Sequence, residues 1–113
     1  VELGSNWLPA CMSNLDIGAA ELGRFDLGLR KLSLKPSEYM QRQVKATPLH
    51  FEDAGWVMRN VGKDMLMFNT DYPHPEGGKD PFGAFERSLD AVQATPEELD
   101  SFYSKNFEDL LSL

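Results

Sequence analysis

The segment at residues 65–77 constrains the fold of this 113-residue chain more than any other part of the sequence. Its apolar run Met65-Leu66-Met67 is short, and the residues that follow include Asp, Pro and Gly. A short apolar run with such an ending is typical of an interior parallel strand that is covered on both faces. Asp71 would then project from the carboxyl end of the strand, the edge at which α/β proteins bind ligands.

The other predicted elements alternate around this segment. Apolar spacing and capping residues predict helices at 5–16, 36–42, 51–61, 80–92 and 95–111. A second strand is predicted at 43–47, where Pro48 stops it, and residues 1–4 resemble the end of another strand. Strands that alternate with helices favour a parallel arrangement joined by helical crossovers, so we predict an α/β fold.

Composition limits the possible partners. The hydrophobic fraction of 42% is enough for one domain with a modest core. A net charge of -7 argues against nucleic acid and anionic membranes, because both would repel the chain. Cys11 is the only cysteine and cannot form an internal disulfide, which fits a reducing compartment and predicts a cytoplasmic location. No apolar stretch reaches the roughly 18 residues that a membrane span needs.

Two stretches carry a family resemblance. Residues 68–74 read FNTDYPH, and residues 34–44 read LKPSEYMQRQV. The first resembles the last strand of the amidohydrolase-related metal-dependent hydrolases, a branch of the amidohydrolase superfamily that includes decarboxylases of aromatic and unsaturated acids. The second resembles the phrase that leads into that family's seventh strand. The resemblance implies that Asp71 binds a divalent metal, Zn or Mn, and transfers protons in catalysis.

Further residues are candidates for the same site. Glu2 and Trp7 belong to a Glu-x-Gly-x-x-Trp phrase that resembles the family's segment after the sixth strand, and His74 matches a His often found there. We treat these three as substrate-binding candidates, although Trp7 could equally anchor a helix start and His74 could lie on the surface. His50 follows the preceding strand and is therefore expected near the same site, although a solvent-exposed position is favoured for it. Asn106 matches an Asn of the family's terminal helix, where a structural hydrogen bond is expected.

The resemblance also implies an architecture. A complete eight-stranded barrel needs roughly 250 residues. We therefore expect residues 1–113 to be the C-terminal fragment, about the last third, of a (β/α)8 TIM barrel, helix-rich with two or three short parallel strands. The family's His-x-His pair is absent from this sequence. Because catalytic zinc sites need three protein ligands, the fragment alone should hold metal weakly and be inactive.

Two functions remain open at this point. In the first, the chain is the C-terminal segment of a metal-dependent amidohydrolase-type enzyme that hydrolyses or decarboxylates a small organic acid, amide or ester. Its partners would be a small-molecule substrate and either further copies of the chain or the missing N-terminal part of the barrel. In the second, the chain is an autonomous helical interaction module without catalytic activity, and Asp71 only caps a turn.

Overall fold

The computed structural model describes residues 3–112, without the side chain of residue 76, and most of this length is helical. The helices are α1 (Leu8–Leu22), α2 (Leu27–Arg30), α3 (Pro36–Gln43), α4 (Ala54–Val61), α5 (Pro81–Ala91), α6 (Pro96–Asp100) and α7 (Asn106–Leu111). A π-helical stretch, Ser101–Lys105, joins α6 to α7, and a 3₁₀ turn forms at Pro75–Gly77. Among residues 3–112, no helix has both the length and the apolar character needed to cross a membrane.

Local capping explains where the later helices begin. Asp80 accepts a hydrogen bond from the Gly83 N–H at 2.9 Å at the start of α5. Thr95 and Glu98 form a capping box at the start of α6, in which each side chain accepts the other residue's N–H. Both helices also have Pro at the first helical position, where its missing N–H costs nothing. Helix starts of this kind are encoded over three or four residues and lie where the sequence predicts them.

The predicted α/β class is wrong for the part of the chain that the structure describes. Residues 3–112 contain no β-strand and no sheet, so the expected C-terminal part of a (β/α)8 TIM barrel with two or three parallel strands is not seen. Two of the three predicted strand segments, 43–47 and the one that begins with the apolar run 65–67, meet only at one isolated parallel bridge between Ala46 and Leu66.

Hydrogen bonding explains why this bridge does not extend into a ladder. The Ala46 N–H donates to the Met65 carbonyl oxygen at 2.8 Å, and the Ala46 carbonyl oxygen accepts from the Met67 N–H at 2.9 Å. The next donor toward the C-terminus would be that of Pro48, which has no N–H. The next toward the N-terminus is the Val44 N–H, which donates into the last turn of α3. Both ends of a possible parallel pair are therefore blocked.

The core lies where α1, α4 and α5 pack around the buried segment 65–67. Helix α1 packs against α3 and α4, and α4 packs against α5. The buried apolar side chains of this core are Leu8, Met12, Ala54, Val57, Met58, Val61, Met65, Leu66, Phe85, Leu89 and Phe102. Burial of each large apolar side chain contributes about 1.5–3 kcal/mol. The apolar run that suggested a buried strand is buried, but largely by helices.

An aromatic cluster holds the chain immediately after this segment. The ring of Phe68 makes edge-to-face contacts with Phe82, Phe85 and Phe102, at centroid distances of 5.6, 5.9 and 6.2 Å. The Phe68 N–H donates to the Phe102 carbonyl oxygen at 2.8 Å. The Phe68 N–H therefore bonds to the π-helical stretch, where a neighbouring strand would accept it in a sheet. This contact fixes the start of the loop that contains Asp71 to the C-terminal helices.

Helices α4 and α5 approach closely at Gly55. A Cβ at this position would lie 2.3 Å from the Ser88 carbonyl oxygen, so a larger residue does not fit. The Gly55 N–H donates to Ser88 Oγ at 2.9 Å, and Ser88 Oγ donates to Asp53 Oδ1 at 2.7 Å. These contacts fix the start of α4 relative to the α5 helix, which follows the Asp71 loop.

Candidate functional site

Asp71 lies in the loop that follows the buried segment 65–67. Its backbone φ is 57°, in the left-handed region that residues other than glycine seldom adopt. The Asp71 N–H donates to the side-chain oxygen of Asn69 at 3.0 Å, a local contact that supports this tight turn. Backbone conformations of this kind occur often at functional sites, because the surrounding structure must hold them in place.

The carboxylate of Asp71 has one oxygen that the structure leaves without a partner. Its Oδ2 atom is buried and has no hydrogen-bond donor among the described residues. Its Oδ1 atom lies 3.4 Å from Nδ1 of His74. Burying a polar atom without a partner costs about 1–3 kcal/mol, and more when the group is charged. Such an atom calls for an additional cation or donor, which makes Asp71 a candidate ligand.

His74 lies beside Asp71, as the sequence predicts. Its backbone N–H donates to the Asp71 carbonyl oxygen at 2.8 Å, and its side chain is about half exposed. His74 also lines a cavity of about 460 Å³. The other lining residues of this cavity are Thr70, Tyr72, Gly77, Gly78, Lys79 and Pro81. His74 is therefore placed to contact both Asp71 and a small molecule in the cavity.

His50 reaches the same loop, as its position after the preceding segment predicts, but its side chain is not exposed as expected. A Cβ at Gly78 would lie 2.1 Å from His50 Nε2, so the imidazole packs directly on the Gly78 backbone. The neighbouring Gly77 is packed in the same way against the Thr70 carbonyl oxygen, at 2.6 Å from its Cβ position. The side chain of His50 is partly buried, and its Nδ1 has no partner among the described residues. The expected solvent-exposed position is wrong, and the pair of adjacent glycines was the available signal.

Trp7 lines a different cavity. This second cavity, of about 310 Å³, shares no lining residue with the cavity at His74. Besides Trp7 it is lined by Leu3, Gly4, Lys45, Ala46, Thr47 and Met67. The indole N–H donates to the Gly4 carbonyl oxygen at 3.0 Å, which holds the ring over the preceding turn. Among the predicted substrate-binding residues, Trp7 and His74 are thus in separate cavities, and Glu2 lies outside the described residues.

Glu52 is an unexpected feature near these loops. The sequence placed it in the first turn of a helix, but α4 begins at Ala54 with Asp53 as its capping residue. Glu52 is buried, with 8% of its surface exposed, and its carboxylate bonds to Ser5, which lies 47 residues earlier. No local pattern in the sequence indicates a contact over such a separation.

The arrangement fits a metal ion in part. The unpartnered Oδ2 of Asp71 is suited to serve as one ligand, and His74 is adjacent to it. Within residues 3–112, however, no group of three or more His, Cys, Asp or Glu side chains could hold a metal ion. Since catalytic zinc sites use three protein ligands, the described residues provide an incomplete set, and the Zn or Mn prediction stays a prediction.

Comparison with known proteins identifies the fold. No protein-family model and no curated protein matches the sequence. The structure is similar to a crystal structure of an amidohydrolase from Mycobacterium avium subsp. paratuberculosis K-10, with a TM-score of 0.75 and 23% sequence identity. The match covers 98% of this chain and 27% of the other. The chain therefore has an amidohydrolase-like fold, and it spans about a quarter of the length of that protein.

Proposed function

We propose that this chain is a segment of a metal-dependent amidohydrolase-type enzyme that hydrolyses or decarboxylates a small organic acid, amide or ester. The observation that carries the proposal is the buried, unpartnered Oδ2 of Asp71, on a backbone with a positive φ. A carboxylate oxygen kept without a donor is suited to a divalent cation. The likeness to an amidohydrolase supports the same function.

Each candidate residue has a role in this proposal. A divalent ion, Zn or Mn, would supply a bound water of lowered pKa. Asp71 would hold the ion through Oδ2 and would accept a proton on its carboxylate. His74, whose Nδ1 is 3.4 Å from Asp71 Oδ1, orients that carboxylate and contacts substrate in the adjacent cavity. Trp7 would provide an apolar wall for a substrate that extends into the second cavity, which shares no lining residue with the cavity at His74. Glu2 stays a substrate-binding candidate on sequence grounds.

The remaining ligands would come from polypeptide outside this chain. Several large apolar side chains on and beside α1 and α2 are exposed, among them Phe25 at 77%, Leu27 at 66% and Ile17 at 58%. Exposed apolar residues that lie together in this way often mark an interaction surface. We propose that either the rest of the enzyme or a second copy of the chain covers them. The isolated chain would then bind metal weakly and show no turnover.

The first experiment measures metal binding by the chain itself. Mn²⁺ is titrated into the ¹⁵N-labelled protein, and paramagnetic line broadening is recorded for each amide. We expect broadening centred on residues 69–74, and its loss in Asp71→Asn, because an amide oxygen is a weaker ligand than a carboxylate. The matched control is Asp80→Asn, which removes the exposed carboxylate that caps α5 but keeps its capping oxygen, and should leave the broadening near Asp71 unchanged. If the amides near exposed acidic residues are broadened equally in the wild type and in Asp71→Asn, the metal site is rejected.

The second experiment concerns catalysis. In the full-length enzyme, Asp71→Ala should remove both the bound metal and the activity. Asp80→Asn, which keeps the capping oxygen of α5, should leave both intact. An Asp71→Ala enzyme that keeps its metal content and turnover would rule out the proposed role.

The helical character of the chain favours one alternative. The described residues form helices around a closed apolar core, which suits an autonomous interaction module that binds another helical surface through α1 and α2. This alternative predicts a monomer that unfolds cooperatively and whose stability does not change with added Zn²⁺ or Mn²⁺. Sedimentation velocity and thermal unfolding with and without metal distinguish the two functions.

A further inference from the structure

The carboxylate of Glu52 is the most heavily hydrogen-bonded side chain near the two cavities. Its Oε2 accepts hydrogen bonds from the Ser5 N–H at 2.8 Å, from Ser5 Oγ at 3.0 Å and from the Leu49 N–H at 3.0 Å. Its Oε1 accepts from the Asn6 N–H at 3.1 Å. Three backbone donors and one hydroxyl thus converge from two distant segments on a side chain that is 8% exposed. This is the arrangement with which a protein binds an anion, filled here by its own carboxylate.

The backbone around Glu52 is shaped to this carboxylate. Gly4 has a φ of 59°, and a Cβ at Gly4 would lie 2.4 Å from Glu52 Oε1. Only glycine combines this conformation with such a close approach. The turn before α1 is therefore built against the Glu52 carboxylate.

The two segments that Glu52 joins are the two sides of the cavity that contains Trp7. On one side, the indole N–H of Trp7 donates to the Gly4 carbonyl oxygen, so Trp7 follows the position of the Gly4 turn. On the other side, Thr47 lines the cavity. Leu49, two residues after Thr47, donates its N–H to the Glu52 carboxylate. We propose that Glu52 is a positioning residue that sets the position of Trp7 relative to the 47–49 loop and so the width of this cavity. Its significance for substrate binding rests on the proposed function.

The test uses the fluorescence of Trp7. The chain has two tryptophans, and Trp56 is exposed on α4, so Trp56→Phe leaves Trp7 as the only indole reporter. In this background we expect Glu52→Ala to shift the Trp7 emission to longer wavelength and to increase its quenching by acrylamide. Loss of a buried charged acceptor should also lower Tm by roughly 5–15 °C.

Anion rescue tests the carboxylate directly. Sodium formate or acetate should restore the Trp7 emission and part of the Tm of Glu52→Ala, because a small carboxylate can occupy the vacated group of donors. Sodium chloride at equal ionic strength should not restore either. Glu38→Ala is the matched control, since Glu38 also accepts a backbone N–H, from Lys35, but is exposed and remote from Trp7 in sequence. It should change neither the emission nor its response to formate.

A second variant keeps the test decisive if Glu52→Ala does not fold. Glu52→Gln preserves the size of the side chain but turns an NH₂ group toward an N–H donor, so we expect a smaller red shift of the Trp7 emission and no rescue by formate. Wild-type Trp7 emission in Glu52→Gln, or equal rescue of Glu52→Ala by chloride and formate, would overturn the proposal.

The proposals for Glu52 and Asp71 are tested independently. The Trp7 emission and the anion rescue can be measured without metal or turnover. A negative result in these two measurements would reject the role of Glu52 and would not affect the proposed metal site at Asp71. Conversely, Asp71→Asn should not change the Trp7 emission. In an active enzyme whose substrate reaches the Trp7 cavity, Glu52→Gln should raise KM more than it lowers kcat, because Glu52 acts through the wall of that cavity and not through Asp71.

Discussion

Asn106 donates from Nδ2 to the carbonyl oxygen of Leu66 at 2.8 Å, across 40 residues of sequence. The same NH₂ group donates to the Lys63 carbonyl oxygen at 2.7 Å, and Oδ1 accepts from Lys45 Nζ at 3.2 Å. The side chain of Asn106 is 1% exposed. One amide on the C-terminal helix therefore satisfies two carbonyl groups, those of Lys63 and Leu66, in the segment that leads to Asp71. The structural hydrogen bond expected for Asn106 is confirmed.

Replacing this amide should be costly. Asn106→Ala leaves two carbonyl oxygens without their donor, so we expect the free energy of unfolding to fall by about 2–3 kcal/mol. Urea denaturation followed by circular dichroism measures this change. The control is Asn60→Ala, because the Asn60 side chain is exposed and donates only within α4, to the Trp56 carbonyl oxygen. Its effect should stay within about 0.5 kcal/mol, and equal losses in the two variants would contradict the role of Asn106.

The ion pair between Glu98 and Arg59 should make stability depend on pH in the acid range. Hydrogen bonds from the Arg59 guanidinium, and then from the Thr95 N–H, lower the pKa of Glu98 from 4.5 to about 2. Because the folded pKa is lower than the unfolded one, the stabilisation is complete above pH 4.5 and is lost as the pH falls toward 2. Glu98→Gln keeps the capping geometry but removes the charge.

The wild-type Tm should therefore fall more steeply than that of Glu98→Gln between pH 4.5 and pH 2. Thermal unfolding at half-unit steps of pH measures the two slopes. Glu38→Gln is the control, since Glu38 also accepts the N–H of a helix cap and has no ion pair among the described residues. Its slope should match the wild type. Identical slopes for Glu98→Gln and wild type would show that the pair does not stabilise the fold.

Two glycine substitutions should have opposite effects. Gly78 has a φ of 72°, and its Cβ position lies 2.0 Å from His50 Cδ2, so Gly78→Ala should destabilise the fold by roughly 1–3 kcal/mol. Gly18 lies inside α1 with open space at its Cβ position. Gly18→Ala should stabilise by about 0.5–1 kcal/mol, since alanine is the better helix former. Chemical denaturation gives both values, and a neutral Gly78→Ala would show that His50 is free to move away from the loop.

Tyr103 and Tyr39 should respond differently to the loss of a hydroxyl. The hydroxyl of Tyr103 is buried without a partner among the described residues, and its pKa is raised by burial and then by Glu86 and Asp90. Tyr103→Phe should keep the ring contacts and leave stability unchanged or raise it by up to about 1 kcal/mol. Tyr39→Phe should lower stability, because it breaks a 2.9 Å hydrogen bond to Ser33. Thermal unfolding compares the pair, and a destabilised Tyr103→Phe would reveal a partner for that hydroxyl.

Most helices were predictable because their signals are local. Capping residues such as Asp80 and Thr95, Pro at the helix start and the spacing of apolar residues act within one or two turns. The predicted start at residue 51 was wrong, since α4 begins at Ala54. The proximity of Asp71 and His74 was predictable for the same reason, since three residues separate them. The parallel strands were not, because a ladder needs an available partner, and Pro48 and the end of α3 leave only one bridge.

The contacts that define the candidate sites beyond Asp71 are long-range. His50 reaches Gly78, Glu52 reaches Ser5, and Trp7 lies in a cavity separate from that of His74. Of these relations, only the contact of His50 with Gly78 had a signal in the sequence, the two adjacent glycines at 77 and 78.

The sequence by itself determined where α3, α5 and α6 begin, which apolar run is buried and which carboxylate follows it, because backbone propensity and capping depend on neighbouring residues. Only the tertiary structure decided that the buried run lies among helices and not within a sheet, that one oxygen of Asp71 has no partner, and that Glu52 joins the two sides of the Trp7 cavity. The reason is physical: each of these depends on which donors and apolar faces distant segments bring together, and that is settled only when the chain packs.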